Sequence, residues 1–342
     1  MGSNKKSTMP NRENGISLAE RLTNHVPQAL SSAAATFVDS LKINSISEKV
    51  RRGRRVVIKR RNVYGEQLAD LANLYFRMSG IPIRFWSKAE EWQRWEAACF
   101  RMLNGDRFRV STSGTRTVSL EKLPGKSLWE HSKEGTLTRR MLEAAGTELR
   151  RAHQFWSDEF DGPWSHGDST ATNVIYNHKT GRARLIDFEI VHDRSLSAKA
   201  RHADDLLVFL LDIIAMASSR QWLSFSLSFL NAYGDPVVIT ELTNHLAVPG
   251  GIAWIWWGVR TSFSNPAKVK QRLERIRDVT ANLKYYRAFA ANRARTRHRR
   301  RASINCQVIS PGIPSPISLA RATSERAKAP SPGMPSKLPT TR

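Results

Sequence analysis

The chain has 342 residues and carries 54 Lys and Arg against 30 Asp and Glu, a formal net charge of +24. That length accommodates a domain of roughly 250 residues with tails left over. Two cysteines, Cys99 and Cys306, exclude a disulfide scaffold, and no uncharged apolar run reaches the ~18 residues of a membrane span. The first six residues, Met-Gly-Ser-Asn-Lys-Lys, are not followed by the apolar core of a signal peptide, so a reducing, cytoplasmic setting is expected. Position 6 is Lys where a myristoylation pattern wants Ser or Thr.

Residues 1–40 are polar and then rich in small side chains, with a helix expected over Ser17–Leu30 and no chemistry apparent. Arg54 to Arg61 (RRVVIKRR) is a β-branched strand flanked by charge, and Lys59 ends its apolar run. A helix over Gly65–Met78 and a strand over Ile81–Trp86 are expected next. Ser87-Lys88-Ala89-Glu90 spells a capping box opening a helix that runs to about Leu103 and stops at Asn104-Gly105. At ~100° per residue, Trp92, Glu96, Cys99 and Leu103 fall on one stripe, the apolar one, so Glu96 points inward and requires a cation. Arg107–Ser111 and Thr117–Leu123 read as strands around a Ser113-Gly114 turn, and Pro124-Gly125 is a chain bend.

Met141, Ala145, Leu149, Ala152 and Trp156 mark an amphipathic helix over Thr138–Trp156, with Arg150, Arg151 and His153 expected at solvent or in loop contacts. The densest stretch follows: Ser165-His166-Gly167-Asp168-Ser169-Thr170-Ala171-Thr172-Asn173, then Arg184-Leu185-Ile186-Asp187-Phe188-Glu189. Val174–Tyr176 and Ala183–Ile186 read as strands around the turn residues 177–181, a hairpin that brings Asp168, Asn173 and Asp187 to one mouth. Ala203–Met216 is apolar nearly all round and is expected as a buried helix, with Asp204 and Asp205 at its N-terminus, where capping is the plain reading. Aromatic-rich helices continue to residue 286. From about Arg287 the composition turns to Arg, Ala, Ser and Pro, which cannot repay the entropy of ordering, and residues 287–342 are expected to be a disordered tail.

The H-G-D-x-x-x-x-N spelling at 166–173 and the I-D-F-E spelling at 186–189 resemble the kinase-like phosphotransferases. Gly167 stands where protein kinases carry Arg, and no Lys follows two residues after Asp168, so the resemblance is to the small-molecule branch, the aminoglycoside phosphotransferases and choline kinases. It implies an α+β, bilobal, protein-kinase-like fold, with a small β-rich lobe over 41–125 and a mostly helical lobe over 126–286. It further implies ATP and Mg2+ as cofactors, Asp168 as catalytic base, and Asn173 and Asp187 as metal ligands. Lys59 would hold nucleotide phosphates, with Glu96 as its partner. His166, Asp204 and Asp205 would be structural supports, an Asp at that helix start often holding the catalytic-loop backbone. The residues 120–125 would offer backbone groups to the nucleotide base. The acceptor would be a hydroxyl of a small molecule or of a lipid-like or sugar compound.

The chain departs from this pattern upstream of Lys59, where Gly53 is the only glycine after Gly15 and no G-x-G-x-x-G occurs. Asn44–Ser47 is a candidate replacement for a phosphate-covering loop, and Arg51, Arg52, Arg54 and Arg55 for added charge near the phosphates. That departure keeps open a catalytically inactive scaffold of the same fold. The Arg run from Arg293 to Arg301 keeps open a nucleic-acid-binding protein, or attraction of the tail to an anionic membrane surface. The cluster Trp254, Trp256 and Trp257 is a candidate cage for a quaternary amine, with burial in the core as the plainer alternative.

Overall fold

The computed structural model describes residues 43–261 and 264–281. The helix expected at Ser17–Leu30, Cys306 and the tail from 287 lie outside those residues. Strands β1 (Asn44–Arg51) and β2 (Arg54–Arg61) form an antiparallel hairpin with Ile46 opposite Lys59. Its turn is Arg52-Gly53, with φ of +50° and +74°, the two-residue turn whose twist suits adjoining strands. Helix α1 (Gly65–Met78) and strand β3 (Ile83–Phe85) come next, then α2 (Ala89–Asn104), β4 (Val110–Ser113) and β5 (Thr117–Glu121). The sheet runs β1-β2-β5-β4, antiparallel throughout, and α2 packs against β4 and β5 with Trp92, Glu96, Cys99 and Leu103 all buried.

The capping box expected at Ser87–Glu90 does not form. The N-cap is Lys88 without a side-chain bond, and Ser87 Oγ accepts instead from Asn73 Nδ2 at 3.3 Å. The first free amide of α2, that of Ala89, donates to Glu66 Oε1 at 3.0 Å. Helix α1 therefore caps α2 from outside, satisfying a donor that the local sequence was expected to satisfy.

The second half begins with β6 (Lys126–Ser127) and α3 (Leu128–Lys133), where Ser127 and Glu130 make a reciprocal capping box. Helix α4 (Arg139–Ala152) ends four residues short of Trp156, which sits exposed in the short strand β7 (Trp156–Ser157), paired with β8 (Gly162–Pro163). The backbone N–H of Trp164 donates to the Phe155 carbonyl at 2.8 Å and holds that reversal, so Trp156 leaves the apolar face it was expected to share. Strands β9 (Val174–Asn177) and β10 (Arg182–Leu185) form the expected hairpin. Strand β11 (Ile190–His192) then pairs with β3, tying the two halves together.

Helices α5 (Ala198–Met216), α6 (Trp222–Tyr233), α7 (Pro236–His245), α8 (Ala253–Arg260) and α9 (266–281) complete the described chain. Ser197 caps α5, so Asp204 and Asp205 lie nearly two turns inside the helix and cap nothing. The molecule is α+β, with a small antiparallel sheet in its N-terminal part and a mostly helical C-terminal part. Among the described residues no helix is long and apolar enough to cross a membrane.

Helices α4 and α6 approach so closely that a Cβ on Gly146 would lie 2.3 Å from the Phe229 carbonyl oxygen. In an open helix Gly→Ala gains about 1 kcal/mol. Here the methyl group must push two helices apart, at about 1–3 kcal/mol. Gly146→Ala is therefore expected to lower the thermal midpoint, where an unobstructed helix would show a rise.

Candidate active site

The loop 165–173 is held by α5. Asp205, fully buried, accepts the backbone N–H of His166 and that of Gly167, each at 2.8 Å. Ser169 Oγ donates to the Asp205 carbonyl at 2.6 Å, and seven residues along the helix Asp212 Oδ2 accepts the Ala171 N–H, also at 2.6 Å. Two carboxylates on one face of α5 thus pin both ends of the loop. Gly167 has φ +84°, and a Cβ there would sit 2.6 Å from the Ile190 carbonyl oxygen, so the loop presses on β11 at a point only glycine allows.

His166 joins this loop to the β9–β10 hairpin. Its Nδ1 accepts the Asp168 N–H at 3.2 Å, and its Nε2 donates to the Ile186 carbonyl at 3.0 Å. Those partners specify a neutral imidazole, and burial lowers the pKa of the ring in the same sense. Asn173 Nδ2 donates to the Asp168 carbonyl at 2.8 Å and to Asp168 Oδ2 at 3.1 Å. Its amide oxygen is left as the end available to a cation.

Beyond the hairpin Asp187 adopts φ +67°, a left-handed conformation uncommon for a side chain other than glycine. Its neighbours over-determine it. The Ile186 N–H donates to the Asn173 carbonyl at 3.0 Å, and the Phe188 N–H donates to Glu96 Oε2 at 2.9 Å. Lys59 Nζ lies 2.7 Å from Glu96 Oε1, 2.6 Å from Asp187 Oδ1 and 3.9 Å from Glu189 Oε1. The sheet, α2 and the hairpin therefore meet at one ammonium group.

Charge at this junction is uneven. Burial alone would depress the Lys59 ammonium, but Asp187, Glu96 and Glu189 together hold it above its ordinary value. Burial raises Glu96 against the pull of Lys59. Burial and the nearby Asp187 push Glu189 up to about 7. Burial also raises Asp168 to about 7, Arg260 opposing and Asp187 reinforcing the shift. Four carboxylates set against Lys59 and Arg260 favour an added cation or proton.

The structure separates the roles of the neighbouring pair 204 and 205. Asp205 holds the loop backbone, whereas Asp204 faces His192 Nε2 at 3.2 Å and the Arg260 guanidinium at 3.4 Å. Arg260 was not foreseen. It comes from α8, lies almost wholly buried, reaches the Gly167 carbonyl at 3.4 Å, and leaves its Nε without a partner. No local pattern marks it, because only the packing of α8 brings it to the loop. His153 is likewise corrected: it is buried, not at solvent, bonded to Asp205 Oδ2 at 3.0 Å and to the Tyr233 hydroxyl at 2.9 Å.

The replacement phosphate loop expected at Asn44–Ser47 is strand β1 instead. The Arg cluster sits at the far end of the hairpin, where Arg55 and Arg54 lie four and five residues before Lys59 and so roughly 13–17 Å along the strand. There Arg54 pairs with Glu121 and Arg55 with Glu48. An amine cage does not assemble either. Trp257 is buried in the core, Trp256 packs edge-on against Phe76 with Arg260 over its ring, and Trp222 lies beneath Arg272.

No family model matches the chain, and no curated protein matches it. Among solved structures it is similar to Rv3197 of Mycobacterium tuberculosis in complex with erythromycin. The identity is 20% and the TM-score 0.32, over 54% of this chain and 51% of that one, so the chain spans about half of that protein's length. It is also similar to an ethanolamine kinase of Plasmodium vivax at 9% identity and TM-score 0.35, over 80% of this chain and 98% of that one.

Proposed function

We propose that the protein is an ATP-dependent phosphotransferase that moves the γ-phosphoryl group to a hydroxyl of a small-molecule acceptor. The observation that supports this reading most is the meeting of Lys59, Glu96 and Asp187 at bonding distance, beside a loop in which Asn173 is bonded to Asp168. Asp168 orients the attacking hydroxyl and receives its proton. Lys59 holds phosphate oxygens, and Glu96 keeps the ammonium charged and in place. Asp187 and the amide oxygen of Asn173 are hard oxygen donors of the kind that hold Mg2+ together with substrate phosphates. A bound magnesium ion would neutralise charge on the transferring group. Asp205, Asp212 and His166 do no chemistry; they keep the loop and hairpin in one geometry, on which a reaction governed by placement and charge depends.

Labelled ATP and Mg2+ incubated with the full chain and a pool of hydroxyl compounds should transfer label to an acceptor. ATP with Mg2+ should also raise the thermal midpoint more than ATP alone. Transfer absent while the thermal shift persists would identify a non-catalytic nucleotide binder.

Lys59→Met is expected to weaken ATP binding by about ten- to a hundredfold, the loss of one charge-assisted bond of about 1.5–3 kcal/mol. Titration with a fluorescent nucleotide measures this directly. Exposed Arg60→Met on the same strand should leave affinity unchanged.

A further inference from the structure

Eleven large apolar side chains are exposed among the described residues, and six of them line a single cavity of about 620 Å3: Ile46, Leu71, Leu74, Met78, Ile252 and Ile255. Scattered exposed apolar residues are ordinary; their convergence on one hollow marks a binding surface. Helix α1 forms one wall, the start of α8 the facing one, and β1 closes an end. The floor is aromatic. Buried Phe76 stacks on Phe85 at 5.9 Å and meets Trp256 edge-on at 4.9 Å. The Tyr75 hydroxyl sets the spacing of the two walls, donating to the Ile252 carbonyl at 2.8 Å and accepting the Trp256 N–H at 3.1 Å.

This hollow is not uniformly apolar. Asp187 and Glu189 line it too, so the trough runs into the carboxylates that surround Lys59. A ligand that fits both ends is an amphiphile, with an apolar body in the trough and a polar head at the carboxylates. The volume suits one small molecule.

We infer that the acceptor is an amphiphilic alcohol whose hydrocarbon body lies between α1 and α8 while its hydroxyl reaches Asp168, an inference that rests on the phosphotransferase reading above. In the reaction the acceptor oxygen forms a bond to the γ-phosphorus and the bond from that phosphorus to the β,γ-bridging oxygen breaks. The hydroxyl proton passes to Asp168, and the products are ADP and a phosphate monoester. Leu71, Leu74, Ile252 and Ile255 select for hydrocarbon by burying it, and they take no part in the chemistry.

The test uses the full chain with methyl, butyl, octyl and dodecyl glucosides below their micelle concentrations, with labelled ATP and Mg2+. Transfer, as kcat/KM, should rise by roughly two- to fourfold per added methylene until the trough is filled. Leu74→Glu and Ile255→Glu, both at exposed positions where folding is not at stake, should flatten that dependence while the thermal midpoint stays close to wild type. Transfer that ignores chain length, or a dependence that survives both substitutions, overturns the inference and leaves the phosphotransferase reading standing. Binding of the glucosides to Asp168→Asn, followed by calorimetry, separates the two further. Chain-length-dependent binding alongside wild-type protein that transfers to nothing would sink the phosphotransferase reading and leave the trough as an amphiphile site. A dependence that emerges only after residues 1–42 are removed would assign the trough to the chain's own N-terminal segment and overturn the inference.

Discussion

Asp168→Asn is expected to lower phosphoryl transfer by about 10²- to 10⁴-fold, the usual contribution of a positioned base, while ATP affinity and the thermal midpoint stay close to wild type. The side chain is nearly isosteric, and its backbone contacts to His166 and Asn173 do not involve the carboxylate charge. What is lost is the acceptor for the hydroxyl proton. The amide also relieves charge repulsion from Asp187 and the cost of burying an ion, both of which raise the Asp168 pKa. The variant should therefore be no less stable than the parent, a combination that a merely structural Asp168 would not give. Single-turnover transfer, nucleotide titration and a melting curve on one preparation check all three. Full turnover in the Asp168→Asn enzyme removes this carboxylate from the chemistry.

The second large effect is on stability. Asp205→Ala should cost about 3–5 kcal/mol, because it strands two buried N–H donors and His153 without their shared acceptor. For a domain of this size that is a fall of roughly 10 °C in midpoint. Burial alone would raise the Asp205 pKa; the neighbouring His192 and the hydrogen bond from His153 outweigh it and hold the carboxyl well below the usual range. The sign follows. A group with a depressed folded pKa contributes its full stability above the unfolded value of about 3.9 and loses it as pH falls toward the folded value. The gap between wild type and Asp205→Ala should hold constant from neutral pH to about 5 and narrow below about 4. A gap that widens in acid would mean that Asp205 is not ionised in the native protein.

Much of this centre was legible in the residues alone, for identifiable reasons. Glu96 falls on the apolar stripe of α2 by helical period, and a buried carboxylate needs a cation, so its contact with Lys59 follows once a neighbouring strand is present. The hairpin that presents Asp187 follows from β-branched segments around turn residues. Elsewhere, long-range packing overrode local signals. The apparent cap at Ser87 lost to Glu66 from another helix, and the pair Asp204-Asp205 looked terminal because the Ser197 cap, without a Glu three residues on, is a weak signal. Arg260 had no readable mark at all, since its place beside Gly167 depends on how α8 lands against α5. The trough shows a third kind of failure: Leu71, Leu74 and Met78 repeat at helical spacing, and periodicity alone does not distinguish a stripe that faces core from one that faces a cavity.

The pairing of β3 with β11 bears on how the two halves are coupled. The Asp193 N–H extends that pairing to the Pro82 carbonyl, and Arg84 reaches Glu159, so the segment that carries α1 and β3 is bonded to the helical half, while Glu66 of α1 holds it to α2 and, through Arg116, to the four-stranded sheet. Helix α1 is thus held from both halves, and the Tyr75 hydroxyl fixes its spacing from α8. Under the proposed function, direct transfer then needs acceptor and ATP on the protein together, and initial-rate plots varying one against the other should intersect rather than run parallel as a phosphorylated-enzyme route would give.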